Sequence, residues 1–418
     1  MTDTVGTPRR RRRRRWLRYG GLAVGVLVVG AAGGGWALYA KLNGNIRADD
    51  AAAAELARYE KERPTSLVKG AQNILLIGSD SRSGDGNSRY GRDSGTERSD
   101  TTILLHLAAG RRTATAISLP RDLMVDVPSC LRSDGTRSEP TFAMFNYAFQ
   151  MGGSACTIRT VEKLTDVRID HHIVVDFHGF KEMVDAVDGV QVCLKKPIDD
   201  KAAKLKLPAG RVTLDGEQAL GYVRARKSLG NGSDTDRMDR QQRFLGALVN
   251  KVQSNDVLLN PVKLYPVLDA ATSSLTTDPD LASLRGLYEL VRGLRHIPTE
   301  QVQFLTVPRE SYVYNANRDQ LVEPEAEKLF EQLRRDAPLA VAQGVPRDPS
   351  AKSGNSAPET EENSYGGPGG DSYEQSYDYG EYAYDDGKLS GKEPDKPSMP
   401  VSPAPTFSGN TAAEDGCE

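Results

Sequence analysis

The sequence predicts an α/β domain with a central mixed β-sheet flanked by helices, behind a single N-terminal transmembrane helix. Two observations predict the domain: β-branched apolar runs typical of buried strands at residues 73–77, 101–107 and 113–119, and alternating helical and strand patterns between residues 157 and 194. A third observation is the uncharged stretch at residues 19–40, which predicts the membrane helix because it is long enough to cross a bilayer.

The N-terminal segment predicts a membrane anchor with a defined orientation. An unbroken arginine run occupies residues 9–15, directly before the apolar stretch. Because positive charge stays on the cytoplasmic side, residues 1–18 are expected in the cytoplasm and the chain after residue 41 outside the plasma membrane. A cleaved signal peptide is the lesser alternative, since its apolar core is shorter. Arginine runs also bind nucleic acid, but one that lies against a membrane span favours an orientation signal, so no nucleic-acid partner is expected.

Composition divides the rest of the chain into three parts. Residues 41–70 are rich in Ala, Glu, Arg and Lys and predict a helical stalk that ends near Pro64. Residues 71–340 predict the folded domain, with later helices at 179–187, 264–268, 281–294 and 324–335 and strands at 169–177, 189–194 and 302–307. Residues 341–418 contain mostly Gly, Ser, Pro, Tyr, Asp and Glu and predict a disordered acidic tail.

Charged residues gather at the ends of the first three predicted strands. The runs at 101–107 and 113–119 are separated by a short Ala-Ala-Gly-Arg-Arg loop, which predicts a β-hairpin. Strands that follow each other in sequence are usually neighbours in space, so an antiparallel meander with the strand at 73–77 is expected. One sheet edge would then carry six charged side chains: Asp80, Arg82, Arg98, Asp100, Arg121 and Asp122.

The most aromatic segment is residues 140–153, with the sequence PTFAMFNYAFQMGG. The spacing of its Phe, Met and Tyr side chains predicts an amphipathic helix, and packing into the core is its default role. A wall of an apolar ligand pocket is the alternative, because Asn146 and the glycine pair that ends the segment are unusual in a plain core helix.

A second charged cluster follows in the region 214–243. Asp215 is a suitable N-cap for a short helix ending near Tyr222, and Asp236 for a longer helix to about Gln253. Arg237, Arg240 and Gln241 share one face of that second helix, at the end whose free N–H groups favour anions. With Arg224 and Arg226 they bracket a Gly/Ser/Asn loop, and arginine offers a planar fork for bidentate phosphate contacts.

The residue types exclude several enzyme classes and favour phosphate chemistry. The sequence has no Gly-x-Ser-x-Gly or Walker motif and no Cys-x-x-Cys pair or zinc-type spacing. Two neighbouring aspartates could hold Mg²⁺, and arginines could neutralise a pyrophosphate. An extracellular site has no ATP, so a lipid pyrophosphate is the expected donor. Outside the cytoplasm disulfides become plausible, and Cys130 with Cys156 is the first choice of pair.

Five short motifs, in order behind the anchor, give the sequence a specific resemblance. Gly78-Ser-Asp-Ser-Arg82, Arg98-Ser-Asp-Thr101, Ser118-Leu-Pro-Arg-Asp122, Tyr222-Val-Arg-Ala-Arg226 and Asp236-Arg-x-x-Arg-Gln241 together resemble the LytR-CpsA-Psr (LCP) family of cell-wall glycopolymer ligases. The resemblance implies an Mg²⁺-dependent phosphotransferase. It would move a glycopolymer with one phosphate from a polyprenyl pyrophosphate carrier to a hydroxyl of peptidoglycan or a related cell-wall glycan.

The resemblance also implies a role for each matched residue. Asp80 and Asp100 would bind Mg²⁺, and Arg98 and Arg121 would act on the pyrophosphate at the catalytic centre, with Asp122 as a base or orienting carboxylate. The remaining pyrophosphate-binding residues would be Arg82, Arg224, Arg226, Arg237, Arg240 and Gln241. The alternative function is a noncatalytic membrane-anchored protein that binds polyprenyl phosphates or regulates their use.

Overall fold

The computed structural model describes residues 9–79, 99–201, 203–225, 234–253, 261–343, 406–414 and 417. Helices and strands are numbered here in chain order. The helices are α1 (Arg9–Asn45), α2 (Asp50–Arg58), α3 (Asn146–Thr165), α4 (Phe177–Ala186), α5 (Gly216–Arg224), α6 (Asp234–Gln253), α7 (Pro261–Ser274), α8 (Leu284–Arg295) and α9 (Glu325–Arg334).

The strands of the main sheet are β1 (Arg47–Ala48), β2 (Gln72–Ser79), β3 (Ser99–Leu107), β4 (Ala114–Leu119), β7 (His171–Val175), β12 (Leu275–Thr277), β13 (Val302–Thr306), β16 (Ala340–Gln343) and β17 (Thr406–Thr411). The other strands form four two-stranded sheets: β5 (Met124–Val127) with β6 (Thr141–Met144), β8 (Val190–Leu194) with β11 (Gly210–Leu214), β9 (Ile198–Asp200) with β10 (Leu205–Leu207), and β14 (Arg309–Tyr312) with β15 (Asn315–Leu321).

The predicted α/β class is confirmed by a nine-stranded mixed sheet. Its strand order is β1-β12-β7-β2-β3-β4-β13-β17-β16, with parallel pairs β2–β7 and β4–β13 and antiparallel pairs β2–β3 and β3–β4. The expected meander is therefore present. In β2, Leu75 and Ile77 pack into one core cluster while Ile74 and Leu76 pack into another. This alternation is the period of a strand that is buried on both faces.

Helices cover both faces of the sheet. On one face, α2, α3 and α9 contribute Leu56, Ile158 and Phe330 to the first cluster. On the other face, α6 and α8 place Leu245 and Leu290 against the second cluster. A third cluster lies between α4, α5, α6 and the strand pairs β8–β11 and β9–β10, with Phe244 fully buried in it. The sheet edge that carries the charged residues is thus supported by three packed clusters.

The helix α1 contains one stretch, Val24–Asn45, that is long and apolar enough to cross a membrane. Most of its large apolar side chains are exposed, and Trp36 is 73% exposed, whereas Leu42 near its end is buried. A surface of this kind is expected of a helix whose environment is lipid. After α1, the predicted stalk at 41–70 differs from the structure. Within it β1 pairs with β12, and α2 buries Leu56 in the core, because α2 is amphipathic and its apolar face needs the domain.

The aromatic segment at 140–153 was predicted as one helix, and its first part is instead the strand β6. Residues 141–144 pair antiparallel with β5, and the helix begins only at Asn146. Local spacing could not show that pairing. Phe145 and Phe149 are buried in the first core cluster, whereas Phe142 is exposed. The helix is kinked at Gly152, where an added Cβ would lie within about 3 Å of the Cys130 and Cys156 side chains.

The end of the predicted disordered tail belongs to the sheet. β17 pairs antiparallel with β13 and parallel with β16, and Phe407 is buried. Cys417 forms a disulfide with Cys193 in β8. The prediction of a tail over 341–418 is therefore wrong for the strand at 406–411. A six-residue strand far from its partners in sequence has too little apolar character to be recognised by composition.

The structure also joins Cys130 and Cys156 in a disulfide, with Cα atoms 5.4 Å apart. This is the pair favoured from the sequence. Cys130 lies after β5 and Cys156 on α3, and both side chains are buried. The bond therefore fixes the β5 end of the domain to the helix that covers the sheet.

Candidate functional site

Arg121 is at the centre of the charged sheet edge. It follows β4 through Pro120, and its guanidinium Nη1 lies 3.0 Å from the Asp100 carboxylate at the start of β3. Its Nε lies 3.4 Å from the carboxylate of Asp122. The backbone N–H of Asn146, the first residue of α3, donates to the Arg121 carbonyl oxygen at 3.1 Å. The side chain of this arginine is thus held by two carboxylates, and its backbone by the first residue of a helix.

The strand register explains why these residues meet. In the β2–β3 pair Ser79 lies opposite Ser99, and in the β3–β4 pair Thr102 lies opposite Leu119. The end of β2, the start of β3 and the end of β4 therefore share one edge, as the sequence predicted. The side chains of Asp100 and Arg121 are 29% and 19% exposed, so solvent screens their attraction only in part.

The helix α6 crosses the same edge. The Gln241 amide donates to the Thr101 hydroxyl at 3.2 Å, one residue from Asp100, and to the Val223 carbonyl at the end of α5. The adjacent Gln242 donates to the hydroxyls of Ser118 on β4 and Thr306 on β13. These amide contacts hold the first half of α6 against the ends of three strands.

The arginines of the second cluster divide into buried and exposed ones. Arg237 and Arg240 on α6 are 5% and 7% exposed, and the Arg240 guanidinium donates to the Ala225 carbonyl oxygen after α5. Burial lowers the pKa of Arg240. Arg224, at the end of α5, is exposed, and its guanidinium lies 4.3 Å from the ring centroid of Phe177. Arg240 therefore joins α5 to α6, and Arg224 presents a charge at the surface beside them.

Two further groups near α6 have shifted titration. Burial raises the pKa of the Asp239 carboxyl, against the opposing charge of Arg243. Burial also raises the pKa of the Tyr222 hydroxyl. Both shifts have the direction expected when a charged form loses water, and they indicate a poorly solvated interior behind the charged edge.

Some predicted site residues lie outside the described part of the chain. These are Asp80, Arg82, Arg98 and Arg226. Of the predicted residues that are described, the structure brings together Asp100, Arg121 and Asp122, and it places Gln241 against Thr101, the residue after Asp100. Among the described residues no group of three or more His, Cys, Asp or Glu side chains could hold a metal ion. The predicted Mg²⁺ site therefore stays a prediction.

A third contributor to the site, the hairpin β14–β15, is not among the residues predicted from the sequence. Arg318 lies 3.6 Å from the Asp122 carboxylate, and the Asp319 N–H donates to the Asp122 carbonyl oxygen at 3.1 Å. At the base of the hairpin Arg309 forms an ion pair with Asp319. Three arginines of the described chain, Arg121, Arg309 and Arg318, thus surround this corner.

A signal for the hairpin was present in the sequence. The chain reads Ser-Leu-Pro-Arg-Asp at residues 118–122 and Thr-Val-Pro-Arg-Glu at residues 306–310. The two segments end the parallel neighbours β4 and β13, in which Ser118 lies opposite Thr306. A strand followed by Pro-Arg and an acidic residue therefore occurs twice at this edge of the sheet. The second occurrence predicts Arg309 as a residue of the site.

Comparisons with known proteins agree with this architecture. Residues 39–335 match the model of the LytR_cpsA_psr family. The chain is 37% identical over 232 residues to a probable cell wall biosynthesis protein, LcpB, of Corynebacterium glutamicum, an alignment that covers 53% of this chain and 52% of the relative. It is 28% identical to the polyisoprenyl-teichoic acid–peptidoglycan teichoic acid transferase TagT of Bacillus subtilis, over 76% of this chain and 95% of the relative.

A solved structure has the same fold. The LytR-Csp2A-Psr enzyme from Actinomyces oris superposes with a TM-score of 0.51 and 19% identity, and the superposition covers 65% of this chain and 93% of that one. At that identity the likeness concerns the fold alone. The chain spans about half the length of the corynebacterial relatives that it matches.

Proposed function

The chain belongs to the LytR-CpsA-Psr family, and on that basis we propose that it is a membrane-anchored glycopolymer phosphotransferase. It would transfer a glycopolymer with one phosphate from a polyprenyl pyrophosphate carrier to a hydroxyl of peptidoglycan or a related cell-wall glycan. A relative named as a teichoic acid transferase, aligned over 95% of its length, supports the reaction class. The classes of the glycopolymer and of the acceptor glycan are part of this proposal.

The observation that carries the proposal is the contact of Arg121 with Asp100 and Asp122. Phosphoryl transfer needs positive charge placed where negative charge develops, in a site that does not have to reorganise. Arg121 meets that need because two carboxylates and the N-terminus of α3 hold it in place. Asp122 contacts both Arg121 and Arg318, which supports the orienting role for this carboxylate.

The other arginines have different supporting roles in this proposal. Arg224 is exposed beside α6 and would contact the outer part of the pyrophosphate. Arg240 would act by keeping α5 and α6 together, and Arg237 lies buried one turn before it on the same helix. Arg82, Arg98 and Arg226 retain their proposed contacts to the pyrophosphate on the strength of the resemblance alone.

The proposed reaction exchanges one phosphorus–oxygen bond for another. The acceptor hydroxyl oxygen attacks the phosphorus that carries the glycopolymer, and the bond from that phosphorus to the bridging oxygen breaks. The bridging oxygen leaves with polyprenyl phosphate, and the hydroxyl proton passes to a base or to water. Arg121 would neutralise the charge on the phosphate oxygens during this exchange.

Mg²⁺ is the proposed cofactor. The donor chemistry of the described edge fits it, because Asp100 is a partly exposed carboxylate and Mg²⁺ prefers one or two carboxylates with water and phosphate oxygens. Asp80 is the second proposed ligand. When bound, the ion would neutralise charge on the pyrophosphate.

The proposed location is the plasma membrane, crossed once by α1. The arginine run at residues 9–15 precedes the apolar stretch, which favours a cytoplasmic N-terminus and an extracellular domain. To test this topology, a cysteine is introduced into the domain, and intact cells are treated with a thiol-labelling reagent that does not cross the membrane. Labelling only after the cells are opened would contradict it.

A turnover measurement separates the proposed enzyme from the noncatalytic alternative. Purified full-length protein in detergent is mixed with a lipid pyrophosphate-linked oligosaccharide and a cell-wall glycan acceptor, with Mg²⁺ present. We expect release of many molecules of polyprenyl phosphate per protein, with the oligosaccharide joined to the acceptor through one phosphate. Stoichiometric lipid binding with no turnover would instead support the noncatalytic binder. Chelation of divalent ions in the same assay tests the cofactor.

A further inference from the structure

Three aromatic side chains form a row: Tyr312 and Tyr314 at the tip of the β14–β15 hairpin and Phe142 on the strand β6. The ring centroids of Phe142 and Tyr312 are 6.0 Å apart, and those of Tyr312 and Tyr314 are 5.4 Å apart. Phe142 is 52% exposed and Tyr314 is 85% exposed, and Val313 between the two tyrosines is 71% exposed. Large apolar side chains that gather on a surface usually mark a binding site.

The row is continuous with the charged site. The strand β15 is fixed to it by the contact of Arg318 with the Asp122 carboxylate and by the hydrogen bond from the Asp319 N–H to the Asp122 carbonyl oxygen. Tyr312 is three residues along β14 from Arg309. Asp319, which contacts Asp122, lies opposite Ser311, the residue before Tyr312. A strand advances about 3.3 Å per residue, so the aromatic row begins about one residue along the strand from the contact with Asp122.

The chemistry of the row fits a sugar better than a lipid tail or a protein. Its rings are tilted against each other by 51° and 64° and do not form one flat apolar face. Polar groups lie among them: the Gln320 amide donates to Glu310 at 2.7 Å and accepts from the Val313 N–H. A sugar presents apolar C–H faces with hydroxyls at its edges, so it can use both the rings and the amides.

The other occupants lack the features that they need. A lipid tail requires an enclosed apolar cavity, whereas this row lies open on a hairpin. A stable protein partner buries several hundred Å² on each side, mostly around a packed centre, and exposed charged and amide side chains interrupt this surface. The extension from Asp122 also gives the row a direction, since a molecule bound along it reaches the arginine cluster at one end.

We propose that Phe142, Tyr312 and Tyr314 form the binding subsite for the acceptor glycan. Sugar rings of the acceptor stack on the aromatic side chains, and the next hydroxyl along the glycan is presented to the Arg121 site. This inference rests on the proposed function, which supplies the identity of the acceptor. It adds the position at which the acceptor binds, which the resemblance to the family does not imply.

The test uses full-length protein in detergent and a soluble cell-wall oligosaccharide as acceptor. We expect Tyr314→Ala to raise the KM for the acceptor about tenfold, the loss of one well-placed aromatic contact, while kcat and the KM for the lipid donor stay unchanged. Tyr314→Phe keeps the ring and should retain a near-native acceptor KM. Tyr288→Ala on α8 is the matched control, because Tyr288 is 63% exposed and lies on another element.

Binding of the same oligosaccharide without donor gives a second readout that needs no turnover. Calorimetry should show binding to the native chain that Tyr314→Ala weakens about tenfold and Tyr288→Ala does not. Native turnover with an unchanged acceptor KM in Tyr314→Ala would overturn the subsite and leave the proposed function standing. Absence of native turnover would refute the proposed function, and the calorimetry would still decide whether the row binds glycan. A change confined to the donor KM would also overturn the subsite.

Discussion

The replacement Arg121→Ala probes the proposed site most directly. It removes a guanidinium 3.0 Å from Asp100 and 3.4 Å from Asp122, so two carboxylates lose the charge between them. A pair of unit charges at 4 Å attracts by roughly 4 kcal/mol at an effective dielectric constant of 20. Desolvation and side-chain ordering offset most of this for groups 19% and 29% exposed, and a net loss of about 1–2 kcal/mol of stability is expected.

The expected effect on activity is larger than the effect on stability. Removal of one preorganised group that stabilises transition-state charge costs about 100-fold to 1000-fold in kcat. Initial rates of polyprenyl phosphate release, measured with saturating lipid donor and acceptor glycan, should therefore fall by at least about 100-fold. Arg121→Lys keeps the charge but loses the planar fork that reaches two carboxylates, so its rate should lie between those of Arg121→Ala and the native protein.

The control for folding is Arg137→Ala. Arg137 forms an ion pair of the same 3.0 Å length with Glu55 on α2, and its loss should lower stability by a similar amount but leave the rate near that of the native chain. If Arg121→Ala retained native transfer with a folded domain, the role of Arg121 in phosphate chemistry would be refuted. Equal loss of rate in both variants would show that stability alone was responsible.

Three further predictions concern the framework of the site. Gly409→Ala should lower Tm because its Cβ would overlap the Phe304 carbonyl oxygen where β17 pairs with β13. Gly110→Ala, with no neighbour closer than 3.8 Å, should leave Tm nearly unchanged. An equal Tm for the two variants would contradict this. Replacement of Cys130 and Cys156 together by Ala should lower the free energy of unfolding by about 2–4 kcal/mol, and a guanidinium unfolding curve identical to that of the oxidised native protein would disprove it. The third prediction concerns His171. Burial lowers its pKa, but the hydrogen bond and the charge of Asp278 together raise the pKa by more than burial lowers it, so the net pKa is raised. The stabilisation from this pair is therefore fully present below about pH 6.5 and is lost as pH rises through the folded-state pKa. The Tm advantage of the native protein over His171→Asn should shrink between about pH 6 and pH 9, and a constant advantage over that range would count against the pair.

The core of the site could be predicted because it depends on local order. β2, β3 and β4 follow each other in sequence and pair as a meander, so alternation and loop length were enough to place Asp100 beside Arg121. Gln241 was identified by its motif. The contact that holds it, with Thr101 on β3, joins residues far apart in sequence, and no local pattern contains that information.

Burial changed the interpretation of the second arginine cluster. Sequence spacing correctly placed Arg237 and Arg240 on one face of a helix, but spacing does not tell which face turns inward. In the structure both are buried, and Arg240 binds the Ala225 carbonyl oxygen. The reason is the position of α6 over the sheet edge, fixed by the contacts of Gln242 with Ser118 and Thr306.

The sequence by itself determined the α/β class, the apolar N-terminal helix and the edge where Asp100 meets Arg121, because each follows from patterns within a few dozen neighbouring residues. Only the tertiary structure decided that the β14–β15 hairpin lies beside Asp122 and that β17 pairs with strands far before it in the sequence. Such contacts form only when the packing of the whole domain offsets the entropy of closing long loops. The proposed acceptor subsite belongs to this second group, since Phe142 and Tyr312 meet across 170 residues of chain.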